Sequence, residues 1–116
     1  MATPSIAKTP ELPYFAVIFT SQRTEGERGY GSMADRMVEL AAQQSGFLGV
    51  ESVRGSDGFG ITVSYWRALE DITAWRNHSE HLIAQEAGKR VWYSDYQLRI
   101  CEVQRTRSAP APNSAA

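Results

Sequence analysis

Two histidines and three tryptophans carry most of the chemical potential of this sequence, and all five fall in the stretch Ser64–Trp92, SYWRALEDITAWRNHSEHLIAQEAGKRVW. Imidazole titrates close to neutral pH, so His78 and His81 could take up or return a proton under physiological conditions. Lying three residues apart, they are neighbours on a helix surface. Trp66 and Trp75, with Tyr65, offer flat apolar surfaces of the kind that wall a site for an aromatic molecule. A metal would need a third ligand converging on the histidines, and Glu80 points off their face, so no metal site is expected. Each residue also has a plain structural role open to it. Trp75 recurs at helical spacing with Ile72 and Leu82 and can be core, Asn77-His78-Ser79 can be a helix-start turn, and His81 can be a solvated side chain.

The elements that must position these groups follow from periodicity. YFAVIFT, Tyr14 to Thr20, is apolar on successive positions and reads as a strand covered on both faces. The polar, glycine-rich SQRTEGERGYGS then leads to a helix that Ser32 and Asp35 would open, with Met33, Met37, Leu40 and Ala41 on one stripe and Gly46 as its stop. Phe47–Arg54 and Phe59–Trp66 flank Gly55-Ser56-Asp57-Gly58, and Asp-Gly between two strand-like runs predicts an antiparallel hairpin. The chain turns at Arg67-Ala68 into a second helix, expected to bend near Asn77, where a new N-cap could form with Glu80 at its third position. Tyr93-Ser94-Asp95 ends it. In the last strand, Tyr96 to Arg105, Tyr96, Leu98, Ile100 and Glu102 face one way, and Gln97, Arg99, Cys101 and Val103 the other.

The order is therefore βαββαβ, a ferredoxin-like α+β domain with two helices on one face of an antiparallel sheet. The other face, expected to carry Phe15, Val17 and Ile61 or their neighbours, would be a large apolar patch on a monomer, which predicts a homodimer with the sheets packed together. Residues 1–13, with Pro4, Pro10 and Pro13, read as a flexible arm; residues 14–105 are the domain; residues 106–116, rich in alanine, proline and serine, read as a disordered tail.

Composition removes several classes of function. A net charge of -1 and a pI near 6.1 leave no basic footprint for nucleic acid and no polybasic membrane patch. No run approaches the ~20 apolar residues of a membrane span, and the N-terminus has no secretion-signal core, so a cytoplasmic location is expected. The single cysteine, Cys101, excludes an intramolecular disulfide and suits a half-buried packing position.

The strand ending in Trp66, the helix bearing Trp75, and then His78, Glu80, His81, Gln85, Arg90 and Trp92-Tyr93 together resemble the antibiotic biosynthesis monooxygenase (ABM) domain family over roughly residues 14–105. The resemblance implies a dimeric α+β barrel with a pocket between helices and sheet in each subunit. It also implies oxygen insertion into electron-rich aromatic molecules without metal or flavin, the deprotonated substrate supplying the electrons. The protein would bind the substrate in a dry cavity, remove a proton and hold the anion near oxygen. His78 and His81 are the candidate proton acceptors, and Phe19, Tyr65, Trp66, Trp75 and Gln85 the candidate substrate-binding residues. Tyr65 and Trp66 alternate across their strand, so only one of them faces the helices.

The haem-degrading branch of that family places a histidine ten residues after the tryptophan, where this chain has Gln85, and an asparagine in the first strand, where Tyr14 to Arg23 has none. Haem is accordingly disfavoured, with His81, one turn before Gln85, as the only substitute ligand. The leading expectation is a small cofactor-independent monooxygenase for an aromatic or quinol-type molecule. The alternatives are a haem-binding or haem-degrading protein and a non-catalytic dimeric module that binds a small ligand or serves in stress.

Overall fold

The computed structural model describes residues 5–27, 29–86 and 92–109, with residues 81–86 described by backbone alone. Six elements follow in order: β1 (Tyr14–Arg23), α1 (Tyr30–Ala42), β2 (Phe47–Arg54), β3 (Phe59–Trp66), α2 (Leu69–Glu86) and β4 (Tyr93–Val103). The four strands form one antiparallel sheet in the order β2-β3-β1-β4. This is the ferredoxin-like α+β arrangement, with β3 inserted between β1 and β2.

The hairpin has the bounds its sequence predicts. Gly58 adopts φ 88, a left-handed conformation that a side chain would disfavour, and Gly55 and Phe59 close the turn through a backbone bond of 2.8 Å. Elsewhere local signals lose to neighbours distant in sequence. β1 runs on to Arg23 because its polar end is paired on both sides, Ser21 with Gly60 and Tyr96, Gln22 with Phe59 and Asp95. The first helix starts at Tyr30, not Ser32. Gly29 and Gly31 donate their backbone N–H groups to the Glu27 carboxylate at 3.0 and 2.6 Å, so Glu27, and not Ser32, supplies the acceptor where the helix opens.

The expected bend at Asn77 is absent, and α2 is continuous from Leu69 to Glu86. Its small polar side chains bond back into the helix, Thr73 to the Leu69 carbonyl and Ser79 to the Arg76 carbonyl, so they do not open a new cap. Tyr93-Ser94-Asp95 belongs to β4, held there by a register shift between Gln22 and Arg23 that brings Arg23 opposite Tyr93.

Register fixes the two faces. Phe15 and Val17 pair with Trp66 and Ser64, and all four point toward the helices. Trp66 is fully buried there with Val17, Ala41 and Ile72, and Phe15, Phe47 and Trp75 pack around them. Phe47 meets Trp66 edge-on at 5.5 Å and Trp75 lies parallel to it at 6.2 Å. Phe15 and Val17 are therefore not on the open face. That face carries their neighbours Tyr14, Ala16 and Ile18 with Ile61, Val63, Tyr65 and Cys101.

The N-terminal arm lies on part of this open face. The Ala7 N–H donates to Glu51 at 3.0 Å, Glu51 also accepts from the Tyr65 hydroxyl at 2.5 Å, and the Thr9 and Tyr14 hydroxyls share a bond of 2.8 Å. Tyr14 meets Tyr65 edge-on at 6.0 Å. At the other end of the chain, residues 104–109 form no regular element, and the rest of the tail lies outside the described residues.

Candidate functional site

A cavity of about 250 Å³ lies between the helices and the sheet. β1 contributes Val17 and Phe19 to its floor, β3 Thr62 and Ser64, β4 Leu98 and Ile100. Ala41 of α1 and Ile72 and Trp75 of α2 form the roof, and Arg76, Ser79 and Glu80 add polar groups along one edge. The α2 residues 72, 75, 76, 79 and 80 follow the i, i+3, i+4, i+7, i+8 stripe of a helix facing a core. This is a mainly apolar chamber with a few polar groups, the usual build of a small-molecule site.

The strand-end aromatics close one side. Phe19 meets Tyr93 edge-on at 5.3 Å and lies tilted against Tyr96 at 5.6 Å. Burial, and then the hydroxyl contact to Tyr30 at 3.3 Å, push the Tyr93 phenol well above its usual range, outweighing the opposing pull of Arg54 and Arg23. Tyr93 is therefore a neutral phenol at any physiological pH. Behind it, Arg23 lies 3.6 Å over the Tyr30 ring and donates to the Trp92 and Gly26 carbonyls. Arg54 donates to the Ser21 side chain and to the Ser21 and Gly58 carbonyls. These guanidinium groups tie strand ends together.

The candidate residues separate by position. Phe19 and Trp75 line the cavity. Trp66 points the same way but is wholly buried behind Trp75, its indole N–H donating to Ser64 Oγ at 2.9 Å, so it forms core and not wall. Tyr65 stands on the opposite face, bound to Glu51, and does not reach the cavity; burial and then Glu51 push its phenol up to about 12. His78 is exposed, its ring 5.6 Å from that of Trp75, and it does not line the cavity. The reason is angular: at 100° per residue, position 78 stands roughly 60° round the helix from position 75 and about 120° from position 72. The His81 and Gln85 side chains lie outside the described part of α2.

Arg76, Ser79 and Glu80 were legible as a helical stripe beginning at Ile72 and Trp75, but following the bulky residues 72, 75, 78 and 82 leads away from it. Thr62, Ser64 and Tyr93 carry no such local signal, since strand register decides where they point. Among the described residues, no group of three His, Cys, Asp or Glu side chains could hold a metal ion, and no helix is long and apolar enough to cross a membrane. A second hollow, about 440 Å³, is a shallow groove on the opposite face between the arm and the hairpin, lined by Ile6, Val53, Ile61 and Val63. Its one carboxylate, Glu51, is engaged by Ala7 and Tyr65, which leaves the helix-side cavity as the better candidate.

A haem macrocycle does not match the described cavity. An apolar cavity of about 150 Å³ accepts one benzene ring, which scales to roughly 600 Å³ for four pyrrole rings. The space here is less than half of that, and no described imidazole faces it.

Comparison with known proteins agrees with this architecture. The model of the antibiotic biosynthesis monooxygenase family matches residues 13–87. The chain is 57% identical over 102 residues to the uncharacterized protein YqjZ of Bacillus subtilis, spanning 88% of this chain and 90% of that protein. It is 30% identical over 94 residues to the jasmonate monooxygenase ABM of Pyricularia oryzae, covering 77% of this chain but only 43% of that longer protein. Among solved structures, a variant of SnoaB, a cofactor-independent oxygenase from Streptomyces nogalater, superposes with a TM-score of 0.63 at 14% identity, covering 81% of this chain and 95% of that one. A variant of MhuD carrying two manganese protoporphyrin IX groups per active site superposes with a TM-score of 0.55 at 24% identity, covering 82% and 99%. At those identities the two structures attest the fold alone. By the family match, which covers well over half of its length, this chain belongs to the antibiotic biosynthesis monooxygenase family.

Proposed function

We propose that the protein is a cofactor-independent monooxygenase that oxidises a small aromatic or quinol-type molecule in the cavity between α2 and the sheet. The observation that carries this reading is the cavity itself, a mainly apolar chamber walled by Trp75 and Phe19, with polar groups along the α2 edge and the Thr62 and Ser64 hydroxyls on its floor. Its volume, against the ~150 Å³ that holds one benzene ring, suits one ring and its substituents or two fused rings. In support, one relative is a jasmonate monooxygenase, and a protein of the same fold is a cofactor-independent oxygenase.

In this reading a base on α2 takes a proton from the bound substrate, and the resulting anion gives electrons directly to oxygen. For a ring methylene the balance is closed: one O2 supplies the oxygen of the new carbonyl, and its second oxygen leaves as water with the two methylene hydrogens. No outside reductant is consumed. The base belongs to the α2 rim, where His78 and His81 are the candidates by chemistry and Glu80, which lines the cavity, is the candidate by position. The reading takes the active form as a cytoplasmic homodimer associated through the open sheet face, where Ile61 is 37% and Val53 67% exposed.

Oxygen uptake with a panel of hydroquinones and 1-naphthols under strict metal chelation tests the proposal. Loss of turnover in His78→Ala, His81→Ala assigns the base to a histidine, and loss in Glu80→Gln with the histidine variants active assigns it to Glu80. Absence of turnover across the panel, or a shifted Soret band on titration with hemin, would displace the reading.

A further inference from the structure

Of the two floor hydroxyls, that of Ser64 is the one that accepts from a buried indole. Trp66 has no exposed surface, so its indole N–H cannot turn to water, and it donates to Ser64 Oγ at 2.9 Å. A hydroxyl has one proton and two lone pairs. With one lone pair taken by Trp66, Ser64 keeps its proton and a second lone pair, and among the described residues no group accepts that proton. Ser64 lines the cavity, with Val17 opposite it on β1 and Val50 on β2, so its apolar flanks keep the local dielectric low. The nearby Thr62 differs, since its hydroxyl already shares a bond of 2.6 Å with Ser52.

We propose that Ser64, oriented by Trp66, is the donor that holds the ionised oxygen of the substrate, so that the ligand is a phenol or enol bound as its anion. This rests on the reading of the cavity as the substrate site. Accepting from the indole polarises the Ser64 O–H and strengthens it as a donor. The geometry resembles a one-donor oxyanion site: a fixed dipole, in apolar surroundings, aimed at the place where negative charge stands. Ser64 favours the ionised over the neutral form of the bound group, and a base on α2 need only take the proton away.

4-Nitrophenol is the probe, because its neutral and ionised forms absorb at different wavelengths, and quenching of tryptophan fluorescence reports binding independently. Wild type, Ser64→Ala and Ser64→Thr are titrated with it across pH. Loss of the donor weakens binding of the phenolate about 10- to 100-fold, while the neutral phenol weakens only a few-fold. The pKa of the bound probe then rises by about one unit in Ser64→Ala, and Ser64→Thr, which keeps a hydroxyl, restores the wild-type value. Should Ser64→Ala fail to fold because the Trp66 N–H loses its acceptor, the double variant Ser64→Ala, Trp66→Phe removes both partners and allows the same comparison. A bound-probe pKa unchanged by Ser64→Ala, or by the double variant, overturns the role of Ser64 and leaves the cavity reading standing. Absence of binding by the wild type at every pH overturns both.

Discussion

Replacing Ala41 by leucine adds three carbons to a side chain that belongs to the core and also roofs the cavity. Leucine is nearly as good a helix former as alanine, so α1 itself should be unaffected. At roughly 30 Å³ each, about the volume of a liquid water, the added carbons take up about 90 Å³. That is over a third of the 250 Å³ cavity. Two estimates of the gain agree: about 0.8 kcal/mol for each buried methylene, and about 24 cal/mol for each Å³ of cavity filled, both give roughly 2 kcal/mol. At about 4 °C for each kcal/mol in a domain of this size, the melting temperature should rise by up to about 8 °C. Ligand binding should fall in the same variant, because the volume that stabilises the fold is taken from the substrate. The assay is a thermal melt paired with binding of 4-nitrophenol. A melting temperature lowered by several degrees would show that no such space exists at Ala41, since overpacking a filled core costs about 1 to 3 kcal/mol.

Three smaller perturbations probe the frame around the cavity. Gly46 sits at φ +85 with the Asp71 carboxylate where a Cβ would go, so Gly46→Ala should destabilise the fold by about 1 to 3 kcal/mol, read by urea unfolding. The Tyr65 phenol is pushed from 10.0 up to about 12, by burial first and Glu51 second. The folded state thus keeps a proton that the unfolded state gives up above pH 10, so this contribution is whole below pH 10 and is lost as pH rises toward 12. The stability gap between wild type and Tyr65→Phe should accordingly narrow from pH 8 to pH 11, and a constant gap would contradict the assignment. Glu51→Ala removes the shared acceptor of Ala7 and Tyr65 and should speed proteolytic cleavage within residues 5–13, leaving the domain core intact by mass spectrometry.

What the sequence made legible, and what it hid, divides along the range of the interactions involved. The hairpin was readable because Asp57-Gly58 sets its own turn, and the periodicity of β4 was readable because its alternation is strict. The start of α1 was not, because the group that satisfies Gly29 and Gly31 is Glu27, in a loop whose path no local rule predicts. The choice between Tyr65 and Trp66 depended on which face the helices cover, and one residue of parity sends the tyrosine to the arm and the tryptophan to the core. The concentration of tryptophan and histidine pointed to α2, which borders the cavity, yet only Trp75 of that set lines it among the described side chains. The polar residues that do line it, Arg76, Ser79 and Glu80, look in sequence like an ordinary wet face. A short polar side chain on a strand, such as Ser64, acquires meaning only when its neighbours across the sheet are known.

The central claim, that the helix-side cavity oxidises a small aromatic molecule without a cofactor, is tested most directly by one stoichiometric measurement. Purified protein stripped of metal by chelation is mixed with 1-naphthol, whose keto tautomer carries a ring methylene, and dissolved oxygen and product are followed together. One oxygen consumed for each naphthol converted to its 1,4-quinone, with no hydrogen peroxide released and with the rate abolished by Ala41→Leu, is the predicted result. Oxygen consumption that requires added metal, haem or reductant, or a rate unchanged in Ala41→Leu, would contradict it.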